Sequence, residues 1–265
     1  MKDLLMNAII LSGTSDIGLE LIKSLTAKGY NVYSTYNNSQ PDYQVLPKKK
    51  WLNLDIKDYA SELFENWLTS VGKWDLFISC VGTLEPIGEF DQLEPSLWVE
   101  GVNNNSTYQI AALMTCLAYR NFDIISSAIF FAGGGTNSAT KSFSSYTIGK
   151  IALIKAVELI DHEIDNLKVS ILGPGWLDTK IHYTNVQILD DAGKSLKRAD
   201  CDLDKQGKVK PMHKIVNDVE RLIALPKDLV GGRNFSSVYD DFSESNLRKL
   251  RSISSDFYRL RRKLN

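Results

Sequence analysis

Asn7-Ala-Ile-Ile-Leu-Ser-Gly-Thr-Ser-Asp-Ile-Gly18 is the stretch that decides the fold. Its first five residues form an apolar run of strand length, too short to cross a membrane and without a small-residue cleavage site. The chain then turns through glycines at 13 and 18 into an amphipathic segment, Ile17–Lys28, with Leu19, Ile22, Leu25 and Ala27 expected inward and Gly29 closing it. A strand, a glycine turn and a helix in that order open a βαβ unit. In a dinucleotide-binding sheet such a turn lets the backbone approach a pyrophosphate, and the helix N-terminus adds amides and positive dipole charge. An ordinary strand-to-helix turn would use the same two glycines, and no strict Gly-x-Gly-x-x-Gly is present.

The alternation continues outward from this unit. Strands are expected at Asn31–Tyr36, Trp51–Leu54, Trp74–Val81, Ile124–Ala132, Lys168–Leu172 and Leu229–Phe235. Helices are expected at Tyr59–Val71 (Leu63, Phe64, Trp67 and Leu68 inward), as one long helix over Pro95–Arg120, and at Phe143–Asp165. This is the pattern of an α/β doubly wound, Rossmann-type parallel sheet of about seven strands with helices on both faces. The 265 residues suit one domain over 1–242, with a polar lid at about 176–214 and a basic amphipathic extension at 243–265. A formal net charge of −1 gives no global attraction to nucleic acid. Three scattered cysteines give no disulfide framework or thiol-rich zinc site, and His182 and His213 lack metal-ligand spacing, so no metal is expected. A cytoplasmic protein without an integral membrane segment fits these features.

Tyr146 and Lys150 lie four residues apart in the fourth expected helix, Phe143–Asp165, where a shared face would let the ammonium lower the tyrosine pKa and make it a general acid/base. A surface pair on any amphipathic helix would show the same spacing. With the glycine turn, these residues resemble the short-chain dehydrogenase/reductase family from about Asn7 to at least Thr179. The family's Thr-Gly-x-x-x-Gly-x-Gly lies over Leu11 to Gly18, with Ser12 and Asp16 replacing two glycines. Asp55-Ile56 matches the acidic adenine contact, and Ser79-Cys-Val-Gly82 occupies the Asn-Asn-Ala-Gly slot, keeping only Gly82. Val102-Asn103 resembles the Val-Asn ahead of the family's long helix, and Pro174-Gly-Trp-Leu-Asp-Thr179 matches Pro-Gly-x-x-x-Thr.

The resemblance implies an NAD(P)-dependent oxidoreductase that interconverts a carbonyl and a hydroxyl. Tyr146 would be the general acid/base, Lys150 its electrostatic partner, and Asn103 the support of a proton relay, unless the three asparagines at 103–105 only kink or cap the helix. The implied cofactor set is Ser12, Gly13, Thr14, Ser15, Asp16, Ile17, Gly18, Asn37, Asp55, Ile56, Val81, Gly82, Tyr146, Lys150, Pro174, Gly175, Leu177 and Thr179. The end of the second strand, Ser34-Thr-Tyr-Asn-Asn-Ser39, has no acid to repel a 2′-phosphate and no Arg or Lys to clamp one, which favours NADP over NAD. One departure is central. The family's serine, thirteen residues before the tyrosine, is Gly133 here. Either Gly133 and Gly134 offer backbone amides to the substrate oxygen, or Thr136 or Ser138 supplies the hydroxyl, or redox chemistry is lost.

Trp176, Lys180 and His182 in the lid are candidates for holding a polar small-molecule substrate. The lid's mixed charge also fits a solvated face. Gly232 to Phe242 resembles the closing segment of a divergent subgroup found in polysaccharide and surface-sugar biosynthesis, which implies a sugar-like substrate. The alternatives are a catalytically silent dinucleotide-binding or scaffold protein, and an epimerase or dehydratase that uses NAD(P) transiently. The family's usual pairing through the catalytic helix and the one before it implies a homodimer or homotetramer. Ile151, Leu153, Ile154 and Val157 permit this, although a core-facing stripe would look the same. In the tail, Leu247, Leu250, Ile253, Phe257, Leu260 and Leu264 recur at helical spacing among many basic residues, expected to pack on the domain or on another subunit.

Overall fold

The computed structural model describes residues 6–134, 139–175, 177 and 211–261. Seven parallel strands form one sheet in the order β3-β2-β1-β4-β5-β6-β7. They are β1 (Asn7–Leu11), β2 (Asn31–Tyr36), β3 (Trp51–Asn53), β4 (Leu76–Ser79), β5 (Ser126–Phe131), β6 (Leu167–Gly173) and β7 (Arg233–Ser236). The helices are α1 (Asp16–Ala27), α2 (Glu62–Val71), α3 (Pro95–Asn105), α4 (Thr107–Cys116), α5 (Ser144–Glu163), α6 (Met212–Ala224), α7 (Lys227–Val230) and α8 (Glu244–Ile253). Strands β4 and β5 are buried along their whole length because helices cover both faces of the sheet.

Two apolar layers result. One packs Leu21, Ile22 and Leu25 of α1 and Ile215, Val219 and Leu222 of α6 against Ile10, Ile78 and Ile129. The other packs Phe64, Trp67 and Leu68 of α2, Leu113 of α4 and Leu153, Ile154 and Val157 of α5 against Ile9, Phe77 and Phe130. Each such fully buried side chain contributes about 1.5–3 kcal/mol, so the layering is fixed by the apolar faces rather than by helix propensity. Local caps set the helix ends. Ser15 accepts from Gly18 N–H, Ser61 from Phe64 N–H, and Glu94 from Leu97 N–H with Pro95 in the first turn.

Several sequence expectations require correction. Leu21, rather than Leu19 or Ala27, completes the buried stripe of α1. Helix α2 starts at Glu62, after a 3₁₀ turn at Ile56–Asp58, and turns Leu63 to solvent while Val71 packs inward. The single helix over 95–120 is two helices, broken where Ser106 takes φ −147° and ψ −77°. The seventh strand begins at Arg233, because Lys227–Val230 forms a short helix. Leu153, Ile154 and Val157 face the chain's own core, whereas Ile148 and Leu159 are the large apolar residues of α5 that are exposed.

The tail stripe is not one helix. Helix α8 ends at Ile253, which is exposed, and the chain then returns along β7, where Asn234 N–H donates to the Tyr258 carbonyl. Arg233 holds this return by donating to the Ser255 and Phe257 carbonyls and stacking on the Phe257 ring at 3.7 Å. Its basic residues pair locally: Arg248 with Glu244, Arg251 with Asp228, and Arg261 with Glu158 and Asp256.

Candidate active site

All parallel strands point their carboxyl ends the same way, and the strand order reverses between β1 and β4. That is the crevice where open α/β sheets bind ligands. The glycine turn lies on this edge. Ser12, at the position of the first motif glycine, takes φ 59°, a left-handed conformation that costs a non-glycine residue roughly 1–2 kcal/mol. It is held there by β2: Ser12 N–H donates to Thr35 Oγ1 at 3.0 Å, and Gly13 N–H to the Thr35 carbonyl at 2.9 Å. A Cβ on Gly13 would fall 2.0 Å from Ser34 Oγ, and one on Gly18 would fall 2.7 Å from the Ser12 carbonyl oxygen. Both glycines are therefore required by close packing between the turn and its surroundings. Asp16 opens the first turn of α1, where the helix dipole favours its carboxylate.

Cys80, beyond the end of β4, hydrogen-bonds with Ser15 of the turn, and burial pushes its thiol up to about 12. Gly82 follows, and a point where its Cβ would stand is 3.5 Å from Lys150 Nζ and 3.6 Å from Asn105 Oδ1. Lys150 is buried and donates to the Phe131 carbonyl at 2.9 Å and to the Val81 carbonyl at 3.4 Å, so it ties the ends of β4 and β5 together. Desolvation lowers its pKa to about 8. Its Nζ lies 6.0 Å from the centre of the Tyr146 ring.

Tyr146 stands in the first turn of α5 with its hydroxyl over the backbone of Gly133. A Cβ at Gly133 would be 2.1 Å from Tyr146 Oη and 2.5 Å from Cζ. The glycine in the family's serine position therefore leaves the room that the tyrosine hydroxyl occupies. Burial raises the tyrosine pKa to about 12. The depression expected from Lys150 is corrected accordingly: the lysine ammonium is directed to backbone carbonyls, and desolvation of the phenol dominates.

The asparagine expectation also needs correction. Asn103 is partly exposed and hydrogen-bonds with Tyr108 on the outer side of α3. Asn105 is the buried one, placed against Gly149 of α5 and bonded through its amide to both N–H and C=O of Thr83. The triplet at 103–105 gave a signal, but only the site of the helix break decides which member points inward.

The remaining candidates divide. Val81, Pro174 and Gly175 lie on the same strand-end edge, Gly175 with φ 74° and Val238 where a Cβ would go. Thr14 of the turn and Ile17 in the first turn of α1 are partly exposed, and Asn37 is exposed beyond β2. Asp55 caps its 3₁₀ turn and pairs with Lys57, while Ile56 and Leu177 are buried in the apolar layers. Thr136, Ser138, Trp176, Thr179, Lys180 and His182 lie outside the described residues, as does most of the expected lid. Among the described residues no cluster of His, Cys, Asp or Glu could hold a metal ion, and no helix is long and apolar enough to cross a membrane.

The chain has the fold of the short-chain dehydrogenases/reductases. It superimposes on such a protein from Saccharomyces cerevisiae with a TM-score of 0.77, covering 92% of this chain and 98% of the other at 15% identity. An actinorhodin polyketide ketoreductase with NADPH gives 0.76 over 88% and 95% at 17% identity, and BdcA in complex with NADPH gives 0.70 over 87% and 92% at 15% identity. No protein-family model and no curated protein matches the chain. At these identities the likeness establishes the architecture, and the chemistry rests on the residues.

Proposed function

We propose that this protein is an NAD(P)-dependent oxidoreductase that interconverts a carbonyl and a hydroxyl on a polar, sugar-like small metabolite. The observation that carries this reading is the convergence of Tyr146, Lys150 and Gly82 on the strand-end edge beside a glycine turn. The residues fit a dinucleotide. Gly13 and Gly18 keep the turn free of side chains, and Lys150 presents a buried ammonium at the ends of β4 and β5. No acid stands at the end of β2, which favours NADP over NAD. Two of the proteins that share the fold carry NADPH, in keeping with this choice.

Reduction of a carbonyl requires one hydride and one proton. A bound reduced nicotinamide would supply the hydride. Tyr146, held protonated at neutral pH by burial, gives its phenolic proton to the carbonyl oxygen as that oxygen becomes an alcohol. Lys150, charged below about pH 8 and bonded to the Val81 and Phe131 carbonyls, holds the strand ends that frame the tyrosine. With no serine at 133, the backbone amides of Gly133 and Gly134 are the donors for the substrate oxygen. Such a donor is worth about a hundredfold to a thousandfold in rate. A sugar-like substrate accords with the closing-segment resemblance at Gly232 to Phe242. Exposed Met114 of α4 with Ile148 and Leu159 of α5 provide apolar surface for a homodimer or homotetramer.

The tight seat of Tyr146 over Gly133 also favours a second reading, a dinucleotide-binding protein without turnover. Tyr146→Phe separates them. Under the first reading the variant binds NADPH within about twofold of wild type and loses turnover on a carbonyl substrate panel. Turnover equal to wild type refutes the role of Tyr146, and binding without turnover in the wild type favours the silent reading.

A further inference from the structure

The break between α3 and α4 is built from side chains. The last four carbonyls of a helix have no partner within it. Here three of them, Val102, Asn103 and Asn104, find one, and Gly101 just before them gains a side-chain donor. The Gly101 carbonyl accepts from Asn105 Nδ2 at 2.9 Å, and the Val102 carbonyl from Ser106 Oγ at 2.7 Å. The Asn103 carbonyl accepts from Ser106 N–H at 3.2 Å, and the Asn104 carbonyl from Gln109 Nε2 at 2.8 Å. Gln109 is fully buried, and its other amide atom, Oε1, accepts from Ser79 Oγ at 2.7 Å.

Gln109 is therefore the link between the broken helix and the end of β4. Ser79 is two residues before Val81, whose carbonyl receives Lys150, and three before Gly82. Asn104, at the other end of the link, precedes Asn105, whose amide holds Thr83 beyond Gly82. One buried carboxamide thus fixes both segments that frame the lysine: the strand end that carries its carbonyl partner and the helix end that carries Asn105. We infer that Gln109 is a positioning residue for the catalytic pair, setting the helix break and the β4 end so that Asn105 and Gly82 stand beside Lys150. The inference rests on the oxidoreductase reading for its kinetic consequence, but its geometric part does not.

Gln109→Met tests it, because methionine keeps the length and volume while removing both hydrogen bonds. A buried hydrogen bond lost on one side is worth about tenfold in an equilibrium. Amide hydrogen exchange at Thr83, whose N–H is held by Asn105, is expected to accelerate by about tenfold or more, whether or not the protein turns over. In an active enzyme kcat should fall by about tenfold or more, with the NADPH dissociation constant changed by less than about twofold. Ser79→Ala, a milder change at the other end of the link, should move both readouts in the same direction. The double variant should be little worse than Gln109→Met alone, since the residues act through one link. If Gln109→Met fails to fold, Ser79→Ala carries the test. Unchanged Thr83 exchange in the folded variant overturns the inference. So does a lowered melting temperature with kcat within twofold of wild type, which would make Gln109 a stabilising residue only. No turnover in the wild type would instead refute the oxidoreductase reading, leaving Thr83 exchange to decide the positioning.

Discussion

Gly133→Ser restores the hydroxyl that the family pattern places thirteen residues before the tyrosine, and it is expected to reduce activity rather than raise it. The Cβ that any side chain brings would lie 2.1 Å from Tyr146 Oη, 2.5 Å from Cζ and 2.7 Å from Cε1. Comfortable contact needs about 3.5 Å, so the shortfall at the hydroxyl is about 1.4 Å. The strand end cannot easily yield, because Ala132 N–H donates to the Leu172 carbonyl at 2.9 Å. The tyrosine must move instead. A displacement of about 1 Å at a reacting group costs on the order of a hundredfold in rate, and forced overpacking costs about 1–3 kcal/mol of stability. Gly134→Ser is the control, since no described atom lies within 4 Å of its Cβ position. The assay is kcat and the NADPH dissociation constant for both variants. Gly133→Ser should lose about a hundredfold in kcat with nearly unchanged binding, and Gly134→Ser should stay within a few-fold of wild type. Turnover in Gly133→Ser equal to or above wild type would refute the packing argument.

Three further outcomes are expected. In the reduction direction kcat/KM should hold from neutral pH and fall as pH rises through about 8, where Lys150 loses its charge, since Tyr146 keeps its proton until about 12; a rate that climbs above pH 8 would contradict this. Gly13→Ala places a methyl group 2.0 Å from Ser34 Oγ and 2.7 Å from Ile22 Cδ1, so denaturant unfolding should show a loss of about 1–3 kcal/mol, partly recovered by adding Ser34→Gly. Arg233→Met removes the guanidinium that holds the Ser255 and Phe257 carbonyls, where hydrogen bonds to a charged group are worth about 1.5–3 kcal/mol each, so limited proteolysis should cut the tail beyond Ile253 faster than in wild type.

What was legible in the sequence follows physical lines. The strands could be read because apolar runs between turn residues have no other place to go in a sheet covered on both faces, and the glycine turn, Gly82 and Pro174-Gly175 marked its carboxyl edge. The Gly133 substitution was visible by counting. Its meaning was not, since the space taken by the Tyr146 hydroxyl is a property of two elements packed together. The helix break at Ser106 was hidden for a related reason. Serine does not end a helix by propensity alone, and here the break is maintained by Asn105, Ser106 and Gln109 capping the freed carbonyls. Asn103 was read from its place after Val102 in the family's Val-Asn pair, whereas the break turns Asn105 inward. The lowered tyrosine pKa failed for an electrostatic reason: spacing gave the proximity of Lys150 but not the carbonyls of Phe131 and Val81 that take its ammonium. In the tail, periodicity suggested one amphipathic helix, but the chain leaves the helix after Ile253 because Arg233 and β7 bind its backbone.

The central claim is that the strand-end edge around Gly13, Gly82 and Lys150 receives a nicotinamide dinucleotide. Titration of the wild-type protein with NADPH, followed by nicotinamide fluorescence, tests it most directly. The expected result is saturable one-to-one binding with a dissociation constant between about 1 μM and 1 mM, tighter for NADPH than for NADH. The absence of saturable binding of either dinucleotide up to the millimolar range would contradict the claim.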